Sequence, residues 1–564
     1  MDVTSCHSPS PSQVRYNHPP MKPSPLHPGR SLALFLVTAM LLSGCGNNLW
    51  GTNSVYLTTP PNNPATLPTA TRTAPADPVS TLTLTPTLNP TASPLPLGTT
   101  EILPATLTPT ITPTPGILSG THGATVFYTS QSGDSLNVVA IHFGIKPAEI
   151  SAAVPLSATG FINPGTLLFL PARQSETPTS PSQQIIPDSE LVDSPSAVGF
   201  DVKAYVDSAG GKLSTYTDYH TPNGTISGAE GIRIISIGSS ISPRLLLALT
   251  QYYTGWVQGQ SKPGLDTSHL FGYTDPALDP GNPSLYQSLR LVIQDLLSGY
   301  YGWRAGSLSQ LTFPDGTRLR IAPELNAGSV ALQYFFSKHL NYADWLQAID
   351  PNTGFLALYK SMFGDPWVRA AELGPLFPVN FNQPPFTLPF DVGVPWNLTN
   401  GPHPAWEAES SWGALDFAPS GVVGCADSNA WAVAIAPGQI VRSESSYVVL
   451  DLDGDGFEQT GWVVIYQLIS SRDRIPVGTL LNGGDHIGHP SCEGGTATGT
   501  HTHIARKYNG EWVAAGGPLP FVLSGWTVHA GAVEGVGTMT KGDKVVTASQ
   551  VSEGMSQITR LPGQ

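Results

Sequence analysis

Charge is scarce in this chain of 564 residues, which carries 26 basic and 40 acidic side chains and only four cysteines. The formal net charge of −14 supplies no basic face for phosphates, which excludes nucleic acid as a partner. Beyond the N-terminal region no apolar run reaches the about 18 residues that a spanning helix requires. What is abundant is glycine, at 58 residues, and proline, at 54. Length divided by about 150 predicts three or four units, with the proline excess in the segments that join them.

Residues 30–45 read RSLALFLVTAMLLSGC: a basic start, an apolar run, then small residues before a cysteine, the pattern of an export signal. Its end, Leu42-Ser43-Gly44-Cys45, resembles the bacterial lipobox. That resemblance implies cleavage before Cys45 and a diacylglycerol on its sulfur. The expectation is a signal segment over 1–45 and a mature chain outside the cytoplasmic membrane, associated with the cell wall and anchored by lipid on Cys45. From 46 to 121 the composition collapses to Thr, Pro, Leu, Ala and Ser, which cannot bury enough apolar area to offset chain entropy. This spacer, at about 3.1 Å per residue when extended, reaches on the order of 200 Å. A shorter linker of similar character, including SETPTSPSQQ, covers 174–198.

Between the spacers, residues 122–173 alternate strand and helix patterns in a βααβ order. Tyr128-Thr129, Ser132 to Leu136, Phe143-Gly144, Glu149-Ile150, Ile162 to Gly165 and Leu168 to Pro171 resemble the LysM module over its whole length. The family binds N-acetylglucosamine polymers, so the resemblance implies peptidoglycan glycan as a partner. Residues 199–385 read as mostly α-helical, with SISPRLLLALTQYYTGWV and PSLYQSLRLVIQDLLSGYYGW among the periodic stretches. The helix from Ile241 resembles that of lysozyme-like transglycosylases, but the position of their catalytic acid falls on Tyr253. Without a carboxyl group there is no proton donor for a glycosidic oxygen. Tyr252, Tyr253, Trp256, Tyr300, Tyr301 and Trp303 fit either a sugar-stacking groove or, as base rates favour, ordinary helical core.

Chemistry-bearing residues concentrate in the last third. Six of the 14 histidines lie beyond residue 400: His403, His486, His489, His501, His503 and His529. In TGTHTHIARKY the two-residue spacing of His501 and His503 puts both rings on one face of a strand. In GPHPAWEAESSWGALDFAP, His403 and Asp416 bracket a Trp-rich loop. Two imidazoles and a carboxylate leave a fourth position of a tetrahedral zinc open, the catalytic type of site.

GPH, then LDF thirteen residues later, then CEGG with TATGTHTH, resembles the lysostaphin-like, or LytM-type, zinc endopeptidases, especially the β-lytic and staphylolysin branch. The resemblance spans Val392 to Gly516. It implies an antiparallel β domain of two packed sheets over 386–550, followed by a tail at 551–564. It also implies that His403, Asp416 and His503 bind zinc, that His501 is the general base, and that the substrate is the peptide part of peptidoglycan. One position departs from the pattern: where the family has a second catalytic histidine in Tyr-x-His, this chain has Leu468. Losing an oxyanion donor there costs about 10² to 10³ in rate. His486 and His489 are the substitutes at hand, although His489 beside Pro490 reads as loop packing. Two functions follow, a zinc endopeptidase or a zinc-containing, inactive wall-binding or regulatory lipoprotein.

Cys6 is lost with the leader and Cys45 is lipidated, which leaves Cys425 and Cys492 as an exported pair expected to form a disulfide beside the CEGG loop. DLDGDGFEQTGW places Asp451, Asp453 and Asp455 at the spacing of a calcium loop. The twelfth residue is Trp462 and the flanks read as strands, so a merely acidic β-hairpin turn is the preferred reading over a calcium site.

Overall fold

The computed structural model describes residues 118–563 apart from 121–122, 174–176, 222–223, 274–283, 496 and 552–553. The leader, the lipidation candidate Cys45 and the spacer up to 117 lie outside the described residues. Among the described residues no helix is long and apolar enough to cross a membrane.

In the N-terminal part, strand Gly123–Thr129 pairs antiparallel with Leu167–Pro171. Ser135 caps the intervening helix Leu136–Phe143 by accepting from the Val138 N–H, and Gly144, at φ 66°, ends it in the left-handed conformation. The second helix expected from the βααβ reading is a single 3₁₀ turn, Pro147–Glu149, followed by the short strand Ser151–Ala152. Between Pro147 and Ser151 only Ile150 is buried, so no apolar stripe holds a second turn. This part docks through His142, whose ring stacks on Trp303 at 3.4 Å and 10°. Burial there pushes the His142 pKa down to about 3.

The middle part is built on four long helices, Gly228–Ser239, Pro243–Thr254, Leu285–Arg304 and Ala327–His339. Ile232, Leu246, Leu289, Leu296, Val330 and Phe335 meet in one core, where each such side chain contributes about 1.5 to 3 kcal/mol relative to exposure. A Cβ on Gly299 would stand 2.7 Å from the Ala331 Cα, so the approach of the last two helices requires glycine. Trp256, Tyr300, Tyr301 and Trp303 are buried, and Tyr252 and Tyr253 pack against the same core. These rings are core and form no sugar-stacking groove. The Tyr253 hydroxyl, where the transglycosylase acid would fall, is buried and has no hydrogen-bond partner among the described residues.

The C-terminal part is antiparallel β. A large sheet runs in the order Leu480–Leu481, Gly438–Glu444, Tyr447–Asp451, Trp462–Gln467, Thr502–Tyr508, Ala414–Pro419, Pro395–His403 and Gln557–Thr559. A second sheet, Val522–Leu523, Trp526–Ala530, Gly537–Lys541 and Lys544–Thr547, is a meander. Alternate side chains of the large sheet serve different cores. Val464, Leu450 and Ile504 join the second sheet's Val528 and Met539, whereas Val463, Val449 and Ala505 join the helical core. Burial on both faces accounts for strands as continuously apolar as WVVIYQ.

One buried ionic cluster ties the three parts together. The Arg304 guanidinium lies 2.9 Å from Glu511 of the C-terminal part and 3.0 Å from Asp188, and it also donates to the Ser132 carbonyl of the N-terminal part. Removing one partner of such a cluster strands a buried charge, at a cost of about 3 to 5 kcal/mol.

Candidate metal centre

Three neighbouring strands bring the histidines and the aspartate together. In register, Asp416 stands opposite His503, and Ala414 stands opposite His403. The pairing slips around Asp416, an irregularity of the kind that re-aims a side chain. Alternation along Thr502–Tyr508 puts His503 on the face of Ala505, which is the face the helical part covers.

His403 Nε2 and His503 Nδ1 are 3.0 Å apart, and each is 3.2 Å from Asp416 Oδ1. At that range Asp416 Oδ1 could accept hydrogen bonds, yet neither contact is directed as one, and among the described residues the buried oxygen has no other partner. The opposite ring nitrogens are committed, His403 Nδ1 to the Gly401 carbonyl at 2.8 Å and His503 Nε2 to the Ala405 carbonyl at 3.3 Å. Donation to those carbonyls leaves a lone pair on each facing nitrogen. Three electron-rich atoms thus converge on one point, an arrangement that a cation relieves. A tetrahedral zinc with bonds of about 2.0 to 2.1 Å sets its ligand atoms roughly 3.3 Å apart, and the observed spacings fit. His403, Asp416 and His503 therefore form a group that could hold a metal ion.

Electrostatics within the group follow from its packing. Burial opposes charge on His403, but the Asp416 carboxylate outweighs it and raises the pKa. Burial lowers His503. Asp416 is held well below the usual carboxylate range because its histidine neighbours, His403 first, overcome the burial that would raise it.

His501 lies beside the group, with Nε2 3.5 Å from Asp416 Oδ2 and Nδ1 2.7 Å from the Gly499 carbonyl. The carbonyl fixes the proton on Nδ1 and leaves Nε2 as an acceptor. His486 and His489 do not join. His486 contacts Asp391 at 3.0 Å and stacks on Trp431, while His489 is buried, 2.8 Å from the Ala430 carbonyl. His529 contacts Thr540 on the second sheet. Leu468 follows the last residue of its strand, buried and at φ 65°, and its carbonyl accepts from the Ser491 N–H at 2.8 Å. Its side chain reaches Gly495 of the CEGG loop, so an apolar contact occupies this position.

Cys425 and Cys492 are disulfide-bonded, with Cα atoms 5.7 Å apart, and brace that loop against the segment after the Asp416 strand. Asp451, Asp453 and Asp455 cluster in the hairpin between Tyr447–Asp451 and Trp462–Gln467. Their oxygens accept backbone N–H groups, Gly456 to Asp451 and Phe457 to Asp455, both at 2.9 Å. Burial, with the Asp451 charge adjacent, pushes Asp453 up to about 6. The cluster has the bonding of an acidic turn.

Sequence reading missed the partners of the Trp-rich loop. Glu407 pairs with Arg290 of the helical part at 2.8 Å, and Glu409 accepts from the Ser298 hydroxyl at 3.0 Å. These contacts join residues more than a hundred positions apart, and no local pattern announces them.

Residues 184–379, which take in the second half of the expected linker and most of the helical part, match the model of a family described as the LasA N-terminal domain. No curated protein matches the chain. Among solved structures, it is similar to pseudoalterin, described as an M23 metalloprotease from the deep sea, at 20% identity and a TM-score of 0.24, over 30% of this chain and 96% of that one. It is also similar to a zinc-containing peptidase from Vibrio cholerae, at 19% identity and a TM-score of 0.17, over 25% of this chain and 41% of that one. The catalytic domain of a prophage-encoded M23 protein from Enterococcus faecalis is similar at 21% identity and a TM-score of 0.17, over 24% of this chain and 95% of that one.

Proposed function

We propose that this protein is a zinc metalloendopeptidase of the cell wall that cleaves peptide crosslinks of peptidoglycan, held outside the membrane by lipid on Cys45 and directed to glycan by its LysM-like N-terminal part. The observation that carries the reading is the convergence of His403 Nε2, His503 Nδ1 and Asp416 Oδ1 beside an accepting His501 Nε2. His403, Asp416 and His503 would hold the zinc. Bound there, the ion supplies Lewis acidity toward a peptide carbonyl and lowers the pKa of water. His501 Nε2 takes the proton of the attacking water and passes it to the leaving amine, the general-base and general-acid role that its Gly499 contact prepares. The Gly401 and Ala405 carbonyls orient the two histidine ligands.

Leu468 supports a second reading, a zinc-containing protein that binds or regulates at the wall without hydrolysis. The test is to incubate the zinc-loaded protein with whole peptidoglycan and with defined stem and bridge peptides, beside a His503→Ala control. New amino termini released by the parent and not by the control are expected. Stoichiometric zinc with no release from any substrate would favour the second reading.

A further inference from the structure

Among the described residues, two of the cavities lie apart from the candidate metal site. One, of about 310 Å³, is lined by Arg233, Arg442 and Glu458 between the helical part and the large sheet. Its cations are already committed, Arg233 to Glu230 at 2.8 Å and Arg442 to Glu458 at 2.6 Å, so it offers a ligand little.

The other, of about 500 Å³, lies where the three parts of the chain meet. Phe161 and Asn163 come from the N-terminal part, Phe377, Asn380 and Phe381 from the segment leaving the helical part, and Leu519 from the loop before the second sheet. The ring of Phe377 is buried, stacked on Phe381 at 4.4 Å and 12°, and Phe381 stacks in turn on Trp462 at 5.1 Å, so the apolar floor is what the half-buried Phe161 and Phe381 leave exposed. Exposed amides form the rim. Asn163 Oδ1 accepts from the Asn380 N–H at 2.7 Å, and Asn382 Nδ2 donates to the Asn380 carbonyl at 2.6 Å. Each side-chain amide retains further donors or acceptors for a ligand. Among the described residues no Lys, Arg, His, Asp or Glu lines the cavity.

A volume in the usual ligand range, an aromatic floor, an amide rim and no charge select a neutral ligand with one apolar face and many hydroxyl or amide groups. Acetamido sugars have that character, whereas phosphorylated ligands and peptide termini would meet no counter-charge. The two walls are also pinned together. The Phe377 N–H donates to Ser132 Oγ at 2.7 Å, and Gln131 Nε2 donates to the Glu324 carbonyl at 2.9 Å.

We infer that this cavity is a saccharide site only half of which belongs to the N-terminal part, the other wall being the 377–382 segment with Leu519. The inference rests on the proposed reading that the N-terminal part holds wall glycan, and it adds that the rest of the chain completes the site.

The test titrates the full chain with the N-acetylglucosamine tetramer by calorimetry and, separately, sediments it with insoluble peptidoglycan. Asn380→Gly keeps the left-handed backbone at φ 56° while removing the amide, and Asn382→Ala removes the second. Loss of one hydrogen bond predicts about tenfold weaker tetramer binding for each, matching Asn163→Ala, in proteins that still melt cooperatively. Tetramer binding weakened by Asn163→Ala but untouched by both segment variants would overturn the shared site and leave the glycan reading standing. Retention on peptidoglycan without tetramer binding would also overturn it. Retention on neither would remove both readings.

Discussion

His503 Nε2 stands 3.3 Å from the carbonyl oxygen of Ala405, in the loop that runs from His403 to the Asp416 strand. The next residue, Trp406, packs its indole over Gly238 in the helix Gly228–Ser239. Glu407 is tied to Arg290 of the helix Leu285–Arg304. The helical part therefore grips the same loop whose carbonyl orients His503, a proposed metal ligand, and packing more than a hundred residues upstream in sequence reaches the candidate metal site through one peptide group. Trp406→Ala should release that carbonyl. Losing the group that holds a ligating histidine in orientation weakens metal binding about 10- to 100-fold. Competition with a chelator measures the effect, and unchanged zinc affinity in a folded Trp406→Ala protein would disconnect the helical part from the site.

Two buried carboxyls give opposite pH signatures. Burial would raise Glu458, but Arg442 and Lys507 overcome it and hold the pKa at about 2, against an ordinary value of 4.5. Its folded pKa is depressed, so its contribution is complete above pH 4.5 and lost as pH falls toward 2, on the order of 3 kcal/mol in all. Asp193 is raised by burial to about 7 from 3.8, although Gln459 donates to it at 3.0 Å. Its folded pKa is elevated, so its contribution is present below pH 4 and lost as pH rises through 7. Melting temperatures of the parent and Asp193→Asn between pH 4 and 7.5 check this. The parent should lose ground relative to the variant as pH rises, and a constant difference would contradict the assignment.

The strand that carries His503 was legible from spacing alone, because alternation in a β-prone run is a local property, although His501 falls just before its first residue, Thr502. The approach of His403 to Asp416 was not, since it depends on an irregular register between two strands. The helical stretches announced themselves by period, but an apolar stripe does not say what it packs against. Val463 and Ala505 belong to the helical core, and nothing in their strand pattern reveals it. For the aromatic set around Trp256 and Tyr300 the bland expectation fits, because helix-periodic rings are more often interior than groove. The expected second helix at Glu149 and Ile150 failed for lack of an apolar stripe. The cavity bounded by Asn163 and Asn380 depends on residues 217 positions apart, and the linker composition before 199 gave no hint that the N-terminal part is docked.

The Cys425–Cys492 bond closes a separation of 67 residues, and in the loop-entropy model it disfavours the unfolded chain by about 4 kcal/mol. The double variant Cys425→Ser with Cys492→Ser should melt several degrees lower, and reductant should lower the parent to the same temperature. Because the bond braces the CEGG loop, the reduced protein should also become sensitive to protease near Gly495. A parent that melts identically with and without reductant would show that the loop is held by other contacts, such as the Ser470 hydroxyl donating to Glu493 at 2.7 Å.

Leu468 is the position at which activity should respond most sharply to one substitution. Its φ of 65° is uncommon for leucine but tolerated by histidine, so Leu468→His should not strain the backbone further. The exchange replaces an apolar contact on Gly495 with a group that can donate a hydrogen bond. A donor aimed at developing oxyanion charge is worth about 10² to 10³ in rate. Single-turnover assays on a defined bridge peptide, at equal zinc content, should therefore show an increase of that order for Leu468→His over the parent. Removing His501 in the same background should abolish the gain, because the donor has no charge to stabilise unless the water has been deprotonated. A gain that survives His501→Ala would move the general base to another residue.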